Sequence, residues 1–333
     1  MENIITLDYG SGGQKTAELI DAFLLPAFDN PALNELGDGA CIPGNDHLVF
    51  STDSFVVSPW KFPGGDIGKL CVCGTVNDVC MAAGIPKYLS LSFIIEEGFP
   101  VRDLENIVRS IALEARLANV TIVTGDTKVV EHGRGDGIYI NTSGIGFRLT
   151  QLPGKKDFRE GDAVILSGSA GCHGAAIMMA RAGLNSGNLL SDCMPLNQLS
   201  AATLQAGDGK IRIMRDPTRG GVATTLTEFV ENSAFSIELD ENAIPIDNSV
   251  TAACDLLGLD PLYCACEGRM LVIAAPQQAQ AIIKAMQSLP GGRQAAVIGQ
   301  VTTSRPGQVI LKTSMGGRRL LTKLSGQQLP RIC

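Results

Sequence analysis

The sequence predicts a two-domain α/β protein, and three observations carry that prediction. Its 333 residues suffice for two cores at roughly 100–200 residues per domain. Apolar residues make up 45% of the chain and charged residues 18%, proportions that suit a soluble globular protein. Strand-like and helix-like stretches alternate, and a polar, glycine-containing break, LTQLPGKKDFREGD (149–162), divides them near the middle.

In the first half, HLVFSTDSFVV (47–57) reads as a strand ending in a turn. DIGKLCVCGTVNDVCMAAG (66–84) reads as a buried helix closed by Gly84 and Pro86. KYLSLSFIIEE (87–97) alternates with period two and reads as a strand. Residues 100–118 place Leu104, Ile107, Val108, Ile111 and Ala115 on one helical face. VTIVTGDTKVV (120–130) predicts a strand that breaks at Gly125, and GIYINTSGIGF (137–147) a further strand.

The domain boundary falls near residues 150–160, giving domains of 1–150 and 151–323 and a tail of 324–333. The second half restarts with the strand AVILSGS (163–169) and the helix GAAIMMARAG (174–183). Asp216-Pro217 predicts a helix start, with Asp at the cap and Pro in the first turn, running to about Ser233. CACEGRMLVIA (264–274) reads as strand and PQQAQAIIKAMQSL (276–289) as helix. The last strands lie near Val309–Lys312 and Arg319–Thr322. KLSGQQLPRIC (323–333) has no apolar periodicity and reads as a loose tail.

Composition also excludes function classes. The net charge is −7 and no long basic run occurs, which argues against nucleic-acid or anionic-membrane partners. MENIITLDYG lacks the apolar core of a signal peptide, and no window of about 18 apolar residues suggests a membrane span. A cytoplasmic location is expected, with the ten cysteines as thiols. None forms a CxxC pair, and His47, His132 and His173 are too scattered for a metal cluster.

Several short motifs point to chemistry. GSGGQKT (Gly10, Ser11, Gly12, Gly13 to Thr16) is a glycine-rich stretch whose backbone could approach phosphates, although it is neither a Walker loop nor GxGxxG. Asp38 in LGDGA, Asp53 in STDS, Asp78 in VNDV and Asp126 in TGDTK lie at predicted element ends. Carboxylates converging from several elements suit Mg²⁺ and a nucleotide; each Asp alone reads equally as a cap or turn former. GSAGCHG (168–174) is a strand–loop–helix turn suited to an anion. RDPTRGG sets Arg215 and Arg219 at a helix start, where two glycines suggest close backbone approach. Glu267 sits in an apolar stretch, as a satisfied core group or a tuned catalytic one. A cysteine as last residue, Cys333, is open to oxidation and a poor structural element.

Taken together, GSGGQ, LGDGA, STDS, VNDV, TGDTKV, GSAGCHG, DPTRGG and the final PRIC resemble the HypE family of hydrogenase maturation proteins. That family sits within the aminoimidazole ribonucleotide synthetase and selenophosphate synthetase superfamily. The resemblance runs from Gly10 to Cys333. It implies a PurM-like fold of two α/β domains, with homodimers formed through the N-terminal sheets.

The implied activity is ATP-dependent dehydration of a carbamoyl group that HypF places on Cys333, giving a thiocyanate. The cyanide then passes to iron on a HypC–HypD complex. Asp38, Asp53, Asp78 and Asp126 are expected to hold Mg²⁺–ATP. Gly10 to Gly13, Asn77, Thr127, Arg215 and Arg219 complete the nucleotide site. Lys128 would stabilise charge on oxygen, Glu267 would orient the tail or take its proton, and His173 would act as base or positioner. A tail of about nine residues spans at most about 30 Å, enough to swing between an inward and an outward state. Gln14, where selenophosphate synthetases need Cys or selenocysteine, argues against that activity. Another ATP-dependent enzyme of the superfamily and a ligand carrier without catalysis remain the alternatives.

Overall fold

The computed structural model describes residues 3–10, 14–36, 39–324 and 331–333. The first half contains three short helices, α1 (Gln14–Leu19), α2 (Leu25–Phe28) and α3 (Pro31–Asn34). They are followed by β1 (Leu48–Phe55), the small pair β2 (Lys61–Phe62) and β3 (Gly65–Asp66), and α4 (Ile67–Met81). Then come β4 (Gly84–Glu96), α5 (Val101–Leu117), β5 (Thr121–Val130) and β6 (Ile138–Arg148). The four long strands form one sheet in the order β1-β6-β4-β5. Only β4 and β5 run parallel, joined by the α5 crossover.

The second half contains β7 (Ala163–Leu166), α6 (Cys172–Arg181), α7 (Asn197–Gly207), β8 (Ile211–Arg215), α8 (Gly221–Val230) and β9 (Ser236–Asp240). It continues with α9 (Asn248–Leu257), β10 (Leu271–Ala274), α10 (Ala279–Gln287), β11 (Ala296–Thr302), β12 (Val309–Lys312) and β13 (Arg318–Leu321). Its sheet has the order β13-β12-β9-β11-β7-β10-β8. Among the described residues no helix is long and apolar enough to cross a membrane.

Helix α4 positions everything else. All of its residues except Lys69 and Asp78 are buried, and a helix apolar on every face must be covered on every face. The N-terminal sheet and α5 cover part of it; α7 and β8 cover the rest. Val72, Val76 and Cys80 therefore share one apolar cluster with Leu196, Leu199, Met214 and Val272 from the second half. Cys71, Cys73 and Cys80 are small buried side chains, as expected.

Four local expectations are corrected. β5 runs unbroken through Gly125, because a side chain there would stand 2.5 Å from the Leu91 carbonyl oxygen of the paired strand; the glycine serves strand contact, not a turn. β4 starts at Gly84, so Gly84 and Pro86 open a strand. α8 starts at Gly221, with Gly220 at the cap in the left-handed region (φ 76°). Asp216 is thus no cap but a buried loop residue. Strand β10 starts only at Leu271, which leaves Glu267 in an irregular loop.

Asn77 fastens the two halves. Its side-chain amide donates to the carbonyls of Met194 (3.2 Å) and Glu267 (3.1 Å), and its carbonyl oxygen accepts the Leu196 N–H at 2.8 Å. Asn77, expected at the nucleotide, already gives both amide N–H groups and one accepted bond to backbone of the second half. Asn77→Ala removes three hydrogen bonds to backbone groups of the second half and should cost about 2–4 kcal/mol. A urea midpoint equal to that of the wild type would show the amide to be dispensable.

Candidate active site

The last three residues are docked where the two halves meet. The backbone continues β1 pairing by other means: Val56 N–H donates to the Cys333 carbonyl at 3.2 Å and Ser58 N–H to the Arg331 carbonyl at 3.3 Å. Arg331 Nε donates to the Val56 carbonyl at 2.9 Å, and its guanidinium pairs with Asp136 and lies over the Tyr139 ring. Arg181 donates to the Arg331 carbonyl. The Ile332 side chain is only 2% exposed and joins the central core. Arg331 adopts φ 50°, a left-handed conformation that costs on the order of 1 kcal/mol.

His173 completes this grip. It is fully buried, edge-on to Phe62 with ring centroids 5.3 Å apart. Nε2 lies 2.8 Å from the Ile332 carbonyl oxygen and Nδ1 2.8 Å from Ser191 Oγ. Since a carbonyl only accepts, Nε2 carries the proton, and Nδ1 accepts from the Ser191 hydroxyl. Burial, and secondarily Arg181, holds the imidazole below its ordinary range despite the Ile332 bond and Asp192. Both nitrogens are committed to positioning.

Around Cys333 stands a group of acids. Glu267 is 2% exposed, and its Oε1 is buried with no hydrogen-bond partner. Burial, and then Cys193, Asp216, Asp192 and Asp53, hold its carboxyl well above the usual carboxylate range. Asp216 is pushed up to about 7 by burial and by the charges of Asp78 and Asp53. Burial likewise raises Asp53, against a hydrogen bond from Ser54 N–H, with Asp78 raising it and Arg219 lowering it. Asp78 accepts from Ser51 Oγ at 2.8 Å. Gly74 on α4 leaves room for β1, because a side chain there would stand 2.8 Å from the Phe55 ring.

The Cys333 thiol is pushed up to about 12, first by burial and then by Glu267, with Asp53 and Asp216 adding to the rise and Arg219 opposing it. One thiol, four carboxyls and one guanidinium thus act on each other at the junction of the halves.

Family models match on both sides of this junction: the AIR synthase related protein N-terminal domain over residues 36–147 and its C-terminal domain over residues 159–312. Over 333 residues the chain is 48% identical to the carbamoyl dehydratase HypE of Rhizobium leguminosarum bv. viciae, covering 99% of this chain and 95% of the relative. The chain belongs to the HypE family. A crystal structure of the hydrogenase maturation protein HypE in complex with ATP superposes with a TM-score of 0.94 at 46% identity, covering 98% of this chain and 99% of the other. HypE in a crystal structure of a HypE–HypF complex superposes with a TM-score of 0.79 at 43% identity, over 92% and 99%. The fold is the PurM-like, two-domain α/β fold of HypE.

For this HypE-family chain the expected site residues divide into three groups. Cys333, Glu267, His173, Asp53, Asp78 and Arg219 come together. Asp126 and Lys128 pair with each other at 2.6 Å. With Gly10 and Thr127 they line a cavity of about 210 Å³, walled by the N-terminal helices and by Leu91 and Phe93. Arg215 pairs with Glu228 at 3.8 Å. Ser11, Gly12, Gly13 and Asp38 lie outside the described residues.

GSAGCHG is corrected from an anion cradle to a packing turn. Gly171 N–H donates to Cys266 Sγ at 3.1 Å, Gly174 N–H to the Ala265 carbonyl and Ala170 N–H to the Pro245 carbonyl. The close approach at RDPTRGG is likewise internal: a side chain on Gly221 would stand 2.6 Å from the Leu262 and Cys264 carbonyl oxygens. Cys264 and Cys266 are buried packing residues of that same loop.

The sequence reading missed Asp216 and Asp192. Asp216 is an acid between Arg and Pro, which local propensity reads as a cap. Asp192, in the apolar run LLSDCMPL, carries the same signal that singled out Glu267.

Among the described residues no three ligands stand close enough to close a metal site alone. The donor set nevertheless fits Mg²⁺: Asp53, Asp78 and Asp216 are hard oxygen donors whose charges destabilise one another, and Mg²⁺ commonly takes one or two carboxylates plus phosphates.

Two outcomes follow from these charges. Asp216 is raised from its ordinary value of 3.8 to about 7, so stability is lost as pH rises from 3.8 toward 7 and the loss is complete above 7. Asp216→Asn should therefore stabilise the free protein by roughly 1–4 kcal/mol at pH 8 and little near pH 3; equal melting temperatures at pH 8 would contradict this. Docking keeps the imidazole neutral below its ordinary value of 6.5, so the docked state loses stability as pH falls below 6.5, where the undocked imidazole takes up a proton. Corrected for intrinsic exchange, the Val56 and Ser58 amides should be several-fold less protected at pH 5.5 than at 7.5, and His173→Ala should abolish that difference.

Proposed function

We propose that the chain carries a carbamoyl group on Cys333 and dehydrates it, at the expense of ATP, to a thiocyanate whose cyanide serves [NiFe]-hydrogenase iron. The observation that carries this reading is the docking of Cys333 against Glu267 and the acid cluster. The relatives' names and the ATP and HypF complexes of HypE support it.

Loading belongs to an undocked tail. A thiol pushed up to about 12 has almost no thiolate at neutral pH and is a poor nucleophile. HypF would present the carbamoyl group to Cys333 once His173 and Arg181 have released the tail. Return of the tail buries the S-carboxamide beside Glu267. Its oxygen then takes the γ-phosphoryl group of ATP, because hydroxide is a poor leaving group and phosphate a good one. Mg²⁺, held by Asp53, Asp78 and Asp216, would neutralise phosphate charge during transfer.

Arg219 supplies the positive charge nearest in effect to the sulfur, the role first expected of Lys128. Phosphorylation releases one N–H proton, and departure of phosphate with the C–O electron pair releases the second, leaving S–C≡N. Glu267, with an unpartnered oxygen beside the tail, is the acceptor in its ionised form, in which its raised proton affinity makes it a strong base.

The cavity bounded by Gly10, Asp126 and Thr127 is a second surface assigned to nucleotide. The outer face of the N-terminal sheet exposes Leu48, Phe50 and Ile94, a patch suited to a homodimer, and a HypC–HypD complex would receive the cyanide. The protein would act in the cytoplasm.

The test is the mass of the C-terminal peptide after incubation with HypF and carbamoyl phosphate, then with Mg²⁺–ATP. Cys333 should gain a carbamoyl group and then lose one water. Cys333→Ala should take up none. Glu267→Gln should load normally and dehydrate slower by roughly 10²-fold or more. A carbamoyl group that persists on the wild type with ATP bound would refute dehydration, and loading of Cys333→Ala would refute the assignment of the cysteine.

A further inference from the structure

We propose that Ser191 and Asp192 are positioning residues that couple docking of the Cys333 tail to placement of the Glu267 carboxyl. The catalytic consequence rests on the function proposed above; the coupling itself does not.

These two consecutive residues reach both halves of the site. Ser191 Oγ bonds His173 Nδ1 at 2.8 Å, and His173 holds the Ile332 carbonyl at 2.8 Å. The same Oγ accepts the Cys193 N–H at 3.1 Å, so its hydroxyl proton is directed to the imidazole. One residue on, Asp192 Oδ1 accepts the Glu267 N–H at 3.2 Å. The Glu267 carbonyl is held by Asn77 and by Met194 N–H.

The segment has little freedom to absorb a shift. Ser191 N–H donates to the Pro63 carbonyl at 2.8 Å. A side chain on Gly268 would stand 1.8 Å from the Asp192 carbonyl oxygen, and one on Gly64 2.8 Å from Ser191 N. Adjacent Cα atoms are about 3.8 Å apart across a rigid peptide. Movement of Ser191 with the tail is therefore passed to Asp192, and from there to Glu267.

Asp192 also carries an unused oxygen. Its Oδ2 is buried with no hydrogen-bond partner, as is Glu267 Oε1, and Arg269 Nε lies 3.7 Å away as a counter-charge. The Asp192 charge adds to the groups that keep the proton on Glu267. Cys193, Asp216 and Asp53 act in the same direction, so Asp192 tunes the carboxyl and does not alone determine it.

Amide exchange in the free protein tests the coupling without any reaction. Ser191→Ala and Asp192→Ala should each speed exchange about tenfold at both the Val56 and the Glu267 amides, and Ser191→Thr should restore both. If each variant loosens only the amide it directly serves, the coupling is refuted. The catalytic arm uses carbamoylated protein in single turnover with Mg²⁺–ATP. Asp192→Asn, which keeps an acceptor for the Glu267 N–H but removes the charge, should displace the limb of the pH profile that reports Glu267 to lower pH. A slower rate with an unmoved profile and a lowered melting temperature would mark Asp192 as merely structural and overturn its role. A wild type that never dehydrates would refute the proposed function, while the exchange result would still decide the coupling.

Discussion

Helix α4 has no side that faces water. An apolar helix in the middle of a chain can be covered completely only if elements from distant parts of the sequence close over it. Here the N-terminal sheet takes one face and β8 and α7 of the C-terminal half take the other. The two halves are therefore joined by a common core, although each is built around its own sheet.

That constraint dictates where polar chemistry can stand. Buried polar groups must be paired, so Asn77, in the middle of α4, is consumed by three backbone groups of the second half. Asp78, one residue later, emerges at the rim and meets Asp53 and Asp216. The acid cluster is thus a product of the junction: α4, β1 and the loop after β8 each deliver one carboxylate to its edge. The same junction offers the free end of β1, on which the final residues dock with two backbone hydrogen bonds. A left-handed Arg331 and a buried neutral histidine both subtract from the stability of the docked state.

The short motifs and the length of the chain made the two-domain fold and the family legible in the sequence. The amphipathic helix over residues 101–117 and the strands flanking it follow directly from periodicity. Motif content alone joined Asp53, Asp78, Glu267, His173 and Cys333 into one reading. Local rules failed where a tertiary contact overrode them. Gly125 stays in a strand because β4 presses on it, and Asp216-Pro217 does not cap a helix because Gly221 must slip beneath the Glu267 loop. GSAGCHG has the composition of an anion site, but its N–H groups are spent on neighbouring chain.

What the sequence determines by itself is chemical type and periodicity: which segments are strands or helices, which acids, thiol and imidazole are present, and which family's motifs they form. Tertiary structure decides partnership. It pairs Lys128 with Asp126, brings Asp216 to the Cys333 thiol and Asp192 to Glu267, ties Asn77 to the backbone, and makes His173 the clasp of Ile332. The reason is physical: hydrogen bonding, burial and charge coupling act over a few ångströms in space, whereas these groups lie tens to hundreds of residues apart along the chain.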